Sequence, residues 1–215
     1  THKEEMFKKL GIDVFYKLLF DKNTSLMSPE NFVIEFLLNK LKLKSLIIGE
    51  NFRFGKDRKG DIHLLKKLSI KNNFNLHIIT SLKSDLTNDI FSSSIIRNYI
   101  KEGKVEKASI LLKRPWSIEG IVEKGDKRAR KMGFPTANLS PPQTILPKKG
   151  VYAVNVMIEN IKYSGIANFG KRPTFEGEKI LFEVNIFNFN QEIYGKKMKV
   201  ELITFIRDEK KFNNF

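Results

Sequence analysis

The first half of the chain alternates between helix-like and strand-like spacing of its apolar side chains. Lys3–Leu10 has helical spacing, and Val14–Phe20 is typical of a mostly buried strand. Ser28 precedes Pro29 and an acidic residue, a combination that predicts a helix start. Further predicted elements are a strand over 45–48, a helix over 61–71 and a strand over 76–80. Strands separated by helices predict βαβ units and a parallel sheet.

The pattern changes near residue 105, after which strand-like segments follow one another without a clear helix between them. These segments cover 117–122, 151–158, 162–168, 180–187 and 197–206, and turn residues separate them. Five or six short strands over about a hundred residues predict a small antiparallel barrel. The sequence therefore predicts an α/β domain over 1–104 and an all-β domain over 105–215.

Composition excludes several classes of protein. The 215 residues contain no Cys and three His, which rules out disulfides and thiolate metal sites, argues against a His-rich metal site and fits a reducing cytoplasm. No apolar run approaches the roughly 18 residues that a membrane span needs, so we expect no membrane partner. The net charge of +15 raises the possibility of nucleic-acid binding. However, the lysines are spread along the whole chain, so we expect no nucleic-acid partner, and the oligomeric state stays open.

The segment from Gly125 to Asn138 carries the strongest chemical pattern. Two glycines bracket a loop with four cations, and Thr136 and Asn138 then point to one face of an extended strand. Their oxygens suit Mg²⁺ and nucleotide phosphates, because this cation prefers oxygen ligands. From the residues alone, a solvated basic hairpin before an ordinary strand is the favoured interpretation.

This segment resembles the riboflavin kinase family, in which Pro-Thr-Ala-Asn follows a flap with glycine and arginine. Further matches occur in order at 114–117, 150–152, 168–174, Glu183, 194–195 and 207–212. The resemblance implies a six-stranded barrel and places Gly125, Lys127, Arg128, Gly133, Thr136 and Asn138 at ATP phosphates. It also makes Thr136 and Asn138 ligands of Mg²⁺, Glu183 the general base and Arg207 a flavin contact. Ala129 departs from the glycine that the family commonly has.

A second pattern lies in the first half, where Gly49–Gly55 follows a predicted strand and Ser92–Arg97 opens a predicted helix. The end of a strand is where α/β sheets bind ligands, and a helix start suits phosphate. The first segment does not fit a Walker P-loop, because Asp57 follows Lys56 where Ser or Thr is required. The two segments resemble the Rossmann-like adenylyltransferase half of the bacterial bifunctional riboflavin kinase/FAD synthetases. That resemblance implies nucleotide or flavin contacts at Asn51, Phe52, Arg53, Gly55, Ser92, Ser93 and Arg97.

The resemblance implies two reactions, from riboflavin and ATP to FMN and from FMN and ATP to FAD, with Mg²⁺. The family's His-x-Gly-His motif is absent from this sequence, and its place by order falls before residue 1. We therefore expect a longer protein that lacks both ends here, and residues 1–215 alone are not expected to make FAD. Two alternatives stay open: a riboflavin kinase with a non-catalytic first domain, and a flavin- or nucleotide-binding regulator.

Overall fold

The computed structural model describes residues 2–123, 136–140, 145–174 and 177–210, and its internal contacts divide the chain into residues 1–81 and 82–215. In the first unit, three short helices lead into a π-helix, and two strands flank a longer helix. These elements are α1 (His2–Lys9), α2 (Lys22–Leu26), α3 (Pro29–Asn31), the π-helix Phe32–Lys40, β1 (Ser45–Gly49), a 3-10 turn at Lys56–Arg58, α4 (Ile62–Lys71) and β2 (Asn75–Ile79).

The two strands of the first unit are parallel, as the βαβ pattern predicts. Ser45 lies opposite Asn75 and Gly49 opposite Ile79, with α4 as the connection. Side chains cap the helices at both predicted starts. Ser28 accepts a hydrogen bond from the Asn31 amide at 3.1 Å, and Asp61 accepts one from the Leu64 amide at 2.9 Å. The core of this unit consists of Val33, Ile48, Phe54, Leu65, Leu68 and Phe74.

The strand predicted over Val14–Phe20 is wrong. The segment has no regular structure, and Val14, Leu19 and Phe20 are 77%, 78% and 78% exposed. A strand needs a neighbour for its backbone hydrogen bonds, and within the described residues β1 and β2 pair only with each other in this unit. The aromatic residues of the segment instead pack locally, Phe15 against Phe7 and Tyr16 against Phe36.

The second unit is a closed six-stranded barrel preceded by two helices, which confirms the predicted barrel. Its elements are α5 (Ser93–Lys101), α6 (Val105–Leu112), β3 (Trp116–Glu123), β4 (Thr136–Leu139), β5 (Gly150–Ile158), β6 (Ile161–Thr174), β7 (Gly177–Ile186) and β8 (Lys197–Arg207). The strand order is β3-β4-β7-β6-β5-β8, and β8 closes the barrel against β3. Along β5, buried residues alternate with half-buried ones, because successive side chains point to opposite faces of the wall.

The two helices of the second unit belong with the barrel by their contacts. Val105 of α6 is fully buried in the same core cluster as Tyr152 and Phe182, and Glu106 accepts a hydrogen bond from the Thr204 hydroxyl of β8. The contacts thus divide the chain after Ser81, whereas the domain boundary at residues 104 and 105 stays a prediction.

Candidate active site

One row of residues crosses the outer face of the barrel wall through all six strands. The pairing runs from Glu123 of β3 to Asn138, Glu183, Asn168 and Val151, and ends at Arg207 of β8. Directly opposed residues of neighbouring antiparallel strands point to the same face, with Cβ atoms about 4.5–5.5 Å apart. We call these six residues the polar row, although Val151 is apolar. The register therefore places five predicted or matched family positions side by side.

Thr136 and Asn138 lie on the outer face of β4, as their spacing predicts. Both are half-buried, whereas Ala137 and Leu139 between and after them are buried in the core. Thr136 lies opposite Asn185 of β7, two residues along the strands from the polar row. The strand thus presents a hydroxyl and an amide oxygen on one surface, with a second amide across from the hydroxyl.

Glu183 lies at the centre of this surface. Its neighbours along β7, Phe182 and Val184, are 1% and 0% exposed, so Glu183 points away from the core, as predicted. Its neighbours across the sheet are two amides, Asn138 on one side and Asn168 on the other. Amide groups can donate hydrogen bonds to a neighbouring carboxylate, which can still accept one from a substrate hydroxyl.

Arg207 lies at the other end of the polar row, at the last residue of β8. Three strand spacings separate it from Glu183, roughly 14 Å across the sheet. Its guanidinium Nη1 donates to the backbone oxygen of Asp208 at 3.1 Å. Gly150, beside Val151, has φ +147°, and a Cβ at this position would collide with the Arg207 carbonyl oxygen. The glycine therefore allows β5 to approach the end of β8 closely.

The basic flap predicted at ATP phosphates, which comprises Gly125, Lys127, Arg128 and Gly133, lies outside the described residues. By sequence it connects Glu123, the first residue of the polar row, to Thr136. The chain therefore leaves and re-enters the barrel at the polar surface.

The donor set on this surface fits a hard divalent cation that substrate phosphates help to bind. Thr136 and Asn138 offer a hydroxyl and an amide oxygen, and Glu183 lies opposite Asn138. Among the described residues there is no group of three or more His, Asp or Glu that could hold a metal alone. Mg²⁺ commonly uses few protein ligands together with phosphate oxygens and water, which matches this arrangement.

The segment predicted at the nucleotide in the first unit forms a turn after β1. Phe54 and Gly60 exchange backbone hydrogen bonds of 3.2 and 2.9 Å, and the Phe54 ring is buried. Gly55 has φ +71°, and an added Cβ would lie 2.7 Å from Pro29. Gly55 is thus required by backbone conformation and packing, apart from any ligand.

The three side chains before Phe54 are exposed on this turn. Asn51 and Phe52 face solvent, and the Phe52 ring stacks on Phe54 at 5.6 Å between centroids. Arg53 lies 3.3 Å from the carboxylate of Asp61. The Leu64 amide and then the Arg53 charge lower the pKa of Asp61. Arg53 therefore already has a partner at the start of α4.

Ser92, Ser93 and Arg97, which are also predicted to contact nucleotide or flavin, lie at the start of α5 in the second unit. The Ser92 hydroxyl caps the helix by accepting from the Ser94 amide at 3.2 Å. Ser93 and Arg97 are exposed and four residues apart, so they share one helix face. A hydroxyl and a guanidinium on the first turns of a helix suit an anion, since the free amides there point outward.

Sequence reasoning missed the contribution of the neighbouring strands to the surface around Glu183. Asn168 lies in a segment that resembles the kinase family, but no role follows from its position in sequence. Glu123 and Asn185 carry no motif. Their placement depends on the pairing of β4 with β3 and with β7. Strands β4 and β7 are not adjacent in sequence, and the alternation alone does not determine the register of either pair.

Comparisons with protein families match both units. A family described as "Riboflavin kinase" matches residues 112–215, and a family described as "FAD synthetase" matches residues 1–94. Among curated proteins, the "Bifunctional riboflavin kinase/FMN adenylyltransferase" of Buchnera aphidicola subsp. Schizaphis graminum is 42% identical over 97% of this chain and 67% of that protein. The protein of the same name from Bacillus subtilis is 36% identical over 98% of this chain and 67% of that protein.

The chain spans about two thirds of the length of these relatives. A crystal structure named as a macrolide-efflux protein from Streptococcus pneumoniae has a TM-score of 0.88 and 33% sequence identity, covering 99% of this chain and 68% of that one. Its name differs from those of the curated relatives, and the likeness is one of fold. In the described part of this chain, no helix is long and apolar enough to cross a membrane.

Proposed function

The chain belongs to the family of bifunctional riboflavin kinase/FMN adenylyltransferases, and we propose that it phosphorylates riboflavin to FMN on the barrel and takes part in adenylylating FMN to FAD. The observation that carries the first activity is the placement of Glu183 between Asn138 and Asn168 on the outer face of the barrel. Matches of both family models favour this function over a kinase with an unrelated first domain. A regulator that only bound flavin would not need a carboxylate in this position.

In the kinase reaction, Glu183 accepts the proton of the terminal ribityl hydroxyl of riboflavin. The hydroxyl oxygen forms a bond to the γ-phosphorus of ATP, the bond from that phosphorus to the bridging oxygen breaks, and ADP leaves. Phosphoryl transfer depends mainly on positioning and charge neutralisation, and one group must orient the nucleophile. The neighbouring amides Asn138 and Asn168 fix the orientation of the carboxylate for this role.

Thr136 and Asn138 would hold Mg²⁺ and the ATP phosphates. The ion supplies neutralisation of phosphate charge when it is bound. The flap residues Gly125, Lys127, Arg128 and Gly133, which connect β3 to β4, would contact the same phosphates from the adjoining segment. Arg207 would bind the flavin at the far end of the polar row.

In the adenylyl transfer, a phosphate oxygen of FMN bonds to the α-phosphorus of ATP, and pyrophosphate leaves. Asn51, Phe52, Arg53 and Gly55 after β1 would contact nucleotide or flavin, and Ser92, Ser93 and Arg97 would contact phosphate at the start of α5. The exposed Ser93 and Arg97 on one helix face support this role. The lack of Cys supports a reducing cytoplasm as the site of both reactions.

Product analysis tests this function. The full-length protein is incubated with riboflavin, ATP and Mg²⁺, and the flavins are separated by chromatography. We expect FMN first and FAD after it. FMN without FAD, also from supplied FMN, would favour a monofunctional kinase. Tight flavin binding without any product would favour a regulator.

A further inference from the structure

Lys148 lies two residues before β5 and makes four contacts within the second unit. Its amide donates to the carbonyl of Ile100 at 3.1 Å, and its own carbonyl accepts from the hydroxyl of Tyr152. Its Nζ lies 2.7 Å from Asp208 Oδ1 and 4.6 Å from the centroid of the Phe205 ring. No motif singled out this residue, because its partners come from α5, β5 and the end of β8.

The backbone N–H and C=O of Lys148 both form hydrogen bonds with groups in well-packed parts of the second unit. Tyr152 is fully buried, so its hydroxyl needs a partner, and the Lys148 carbonyl provides it. Burial of the ring raises the pKa of Tyr152, so the phenol remains a proton donor throughout the physiological range. On the other side, the Ile100 carbonyl belongs to the last turn of α5. The barrel core and the end of α5 therefore both determine the backbone position of Lys148.

The side chain of Lys148 is fixed as well. A Cβ on Gly103 would lie 3.2 Å from its Cδ, so the aliphatic part passes close to the chain after α5. The charged end lies beside the face of Phe205, whose ring packs edge-on against Tyr152 at 5.3 Å. Ion pairs on a protein surface usually stabilise little, since ordering two long side chains costs entropy. Here the lysine is already ordered, so its pair with Asp208 restrains mainly the aspartate.

Asp208 is the first residue after β8, and its position affects Arg207 directly. Arg207 Nη1 donates to the Asp208 carbonyl at 3.1 Å, and the Arg207 carbonyl lies against Gly150. The Asp208 side chain is 70% exposed, and its carboxylate forms an ion pair with Lys148. The Arg207 carbonyl thus packs against Gly150 of β5, and the Asp208 side chain pairs with Lys148, which precedes that strand.

We infer that Lys148 is a positioning residue for the flavin-binding end of the polar row. It holds Asp208 where the chain leaves β8, and thereby sets the direction of the Arg207 guanidinium. This inference rests on the proposed kinase function and on Arg207 as a flavin contact. The side-chain contacts of Lys148 lie at the Arg207 end of the polar row, so its loss should weaken riboflavin binding and leave the chemical step largely unchanged.

The test compares Lys148→Met with Lys149→Met in the protein. Methionine keeps the aliphatic length and the backbone contacts but removes the charge, and the neighbouring Lys149 is exposed. For Lys148→Met we expect the KM for riboflavin and its Kd, from equilibrium dialysis, to rise about three- to tenfold, the combined scale of an ion pair and a cation–π contact. The kcat and the KM for ATP should change less than twofold, and Lys149→Met should behave as wild type.

Two further variants separate positioning from general stability. Lys148→Arg should restore most of the riboflavin affinity, because it keeps the charge. Asp208→Asn should weaken binding similarly, and the double variant with Lys148→Met should be no worse than either single one. Thermal unfolding, followed by the fluorescence of Trp116, should show folded barrels throughout.

Equal riboflavin affinity in Lys148→Met and wild type would overturn the inference, as would an equal loss in Lys149→Met. A fall in kcat with unchanged riboflavin affinity would also overturn it. Failure of the proposed function would appear differently, as a wild-type protein that forms no FMN. The dialysis Kd still decides the role of Lys148 in that case, since unchanged or absent riboflavin binding counts against it.

Discussion

The barrel and the first unit use their apolar residues in different ways. In the barrel, Tyr152, Met198, Val200 and Leu202 have no measurable exposure, and six strands close into a wall in which each strand has two neighbours. In the described part of the first unit, the sheet has two strands, and Leu19 and Phe20 are each 78% exposed. In the barrel, strand pairing therefore determines which residues lie side by side. In the first unit, local turns determine the surroundings of the residues outside the sheet.

This difference extends to the proposed sites. Strand register sets the surroundings of Glu183, because both of its cross-strand neighbours belong to the barrel wall. The residues after β1 depend on a single turn, in which Gly55 fits against Pro29 and Arg53 pairs with Asp61. We therefore expect the kinase site to respond to changes in the wall, and the first unit to respond to changes in turns and caps.

The largest effect should follow from opening the core of the barrel. Phe182→Ala removes a ring that is 1% exposed and should lower the free energy of unfolding by about 3–5 kcal/mol. The matched change Phe20→Ala, at a ring that is 78% exposed, should change it by less than about 0.5 kcal/mol. Urea unfolding followed by Trp116 fluorescence and circular dichroism measures both. Similar decreases in the free energy of unfolding for the two variants would contradict the proposed difference between the barrel and the first unit.

Loss of the base should affect the reaction without affecting the fold. Glu183→Gln keeps the size and hydrogen bonding of the side chain but cannot accept the proton, so kcat for FMN formation should fall by about 10² or more. The KM values for riboflavin and ATP should change little, because the lost interaction belongs to the transition state. Glu192→Gln, at an exposed position, is the control. A kcat close to wild type in Glu183→Gln would show that another group is the base.

Changes on β4 should weaken nucleotide binding by a smaller factor. Thr136→Val and Asn138→Ala each remove an oxygen proposed to face Mg²⁺ and phosphate. The KM for MgATP should rise about tenfold or more, the scale of a lost hydrogen bond to a charged group. Excess Mg²⁺ should restore part of the activity. Normal MgATP binding in both variants would mean that these residues serve only the strand.

The smallest effect concerns the first unit and depends on pH. The Leu64 amide and the Arg53 charge hold the pKa of Asp61 below its ordinary 3.8, so the ionised group stabilises the folded form above that pH. The contribution disappears as the pH falls through the lowered pKa. Asp61→Ala should speed amide hydrogen exchange in the first turn of α4, and Asp61→Asn should do so less, because asparagine still caps. Equal exchange in all three proteins at neutral pH would show that the cap contributes nothing.

Local rules were sufficient where a residue's neighbours in sequence determine its structure. The caps at Ser28 and Asp61, strands β1 and β2, and the outward direction of Glu183 beside Phe182 were all predictable. The Val14–Phe20 strand was not, since apolar content alone does not provide a neighbouring strand. The polar row was also beyond the sequence pattern, because Asn138 meets Glu183 through the pairing of β4 with β7, which β5 and β6 separate along the chain.

The position of helix α5 affects where segments can be exchanged between related proteins by recombination. The helix begins at Ser93, directly after its cap Ser92 in the segment that resembles an adenylyltransferase, and the Ile100 carbonyl in its last turn accepts a hydrogen bond from the Lys148 amide. A chimera joined at residue 105 would take α5 from one parent and Lys148 from the other, so this hydrogen bond would form only where the foreign helix packs in the same place. A chimera joined before Ser92 would keep helix, lysine and barrel from one parent. Recombination between relatives should therefore retain function more often when the crossover lies ahead of this helix.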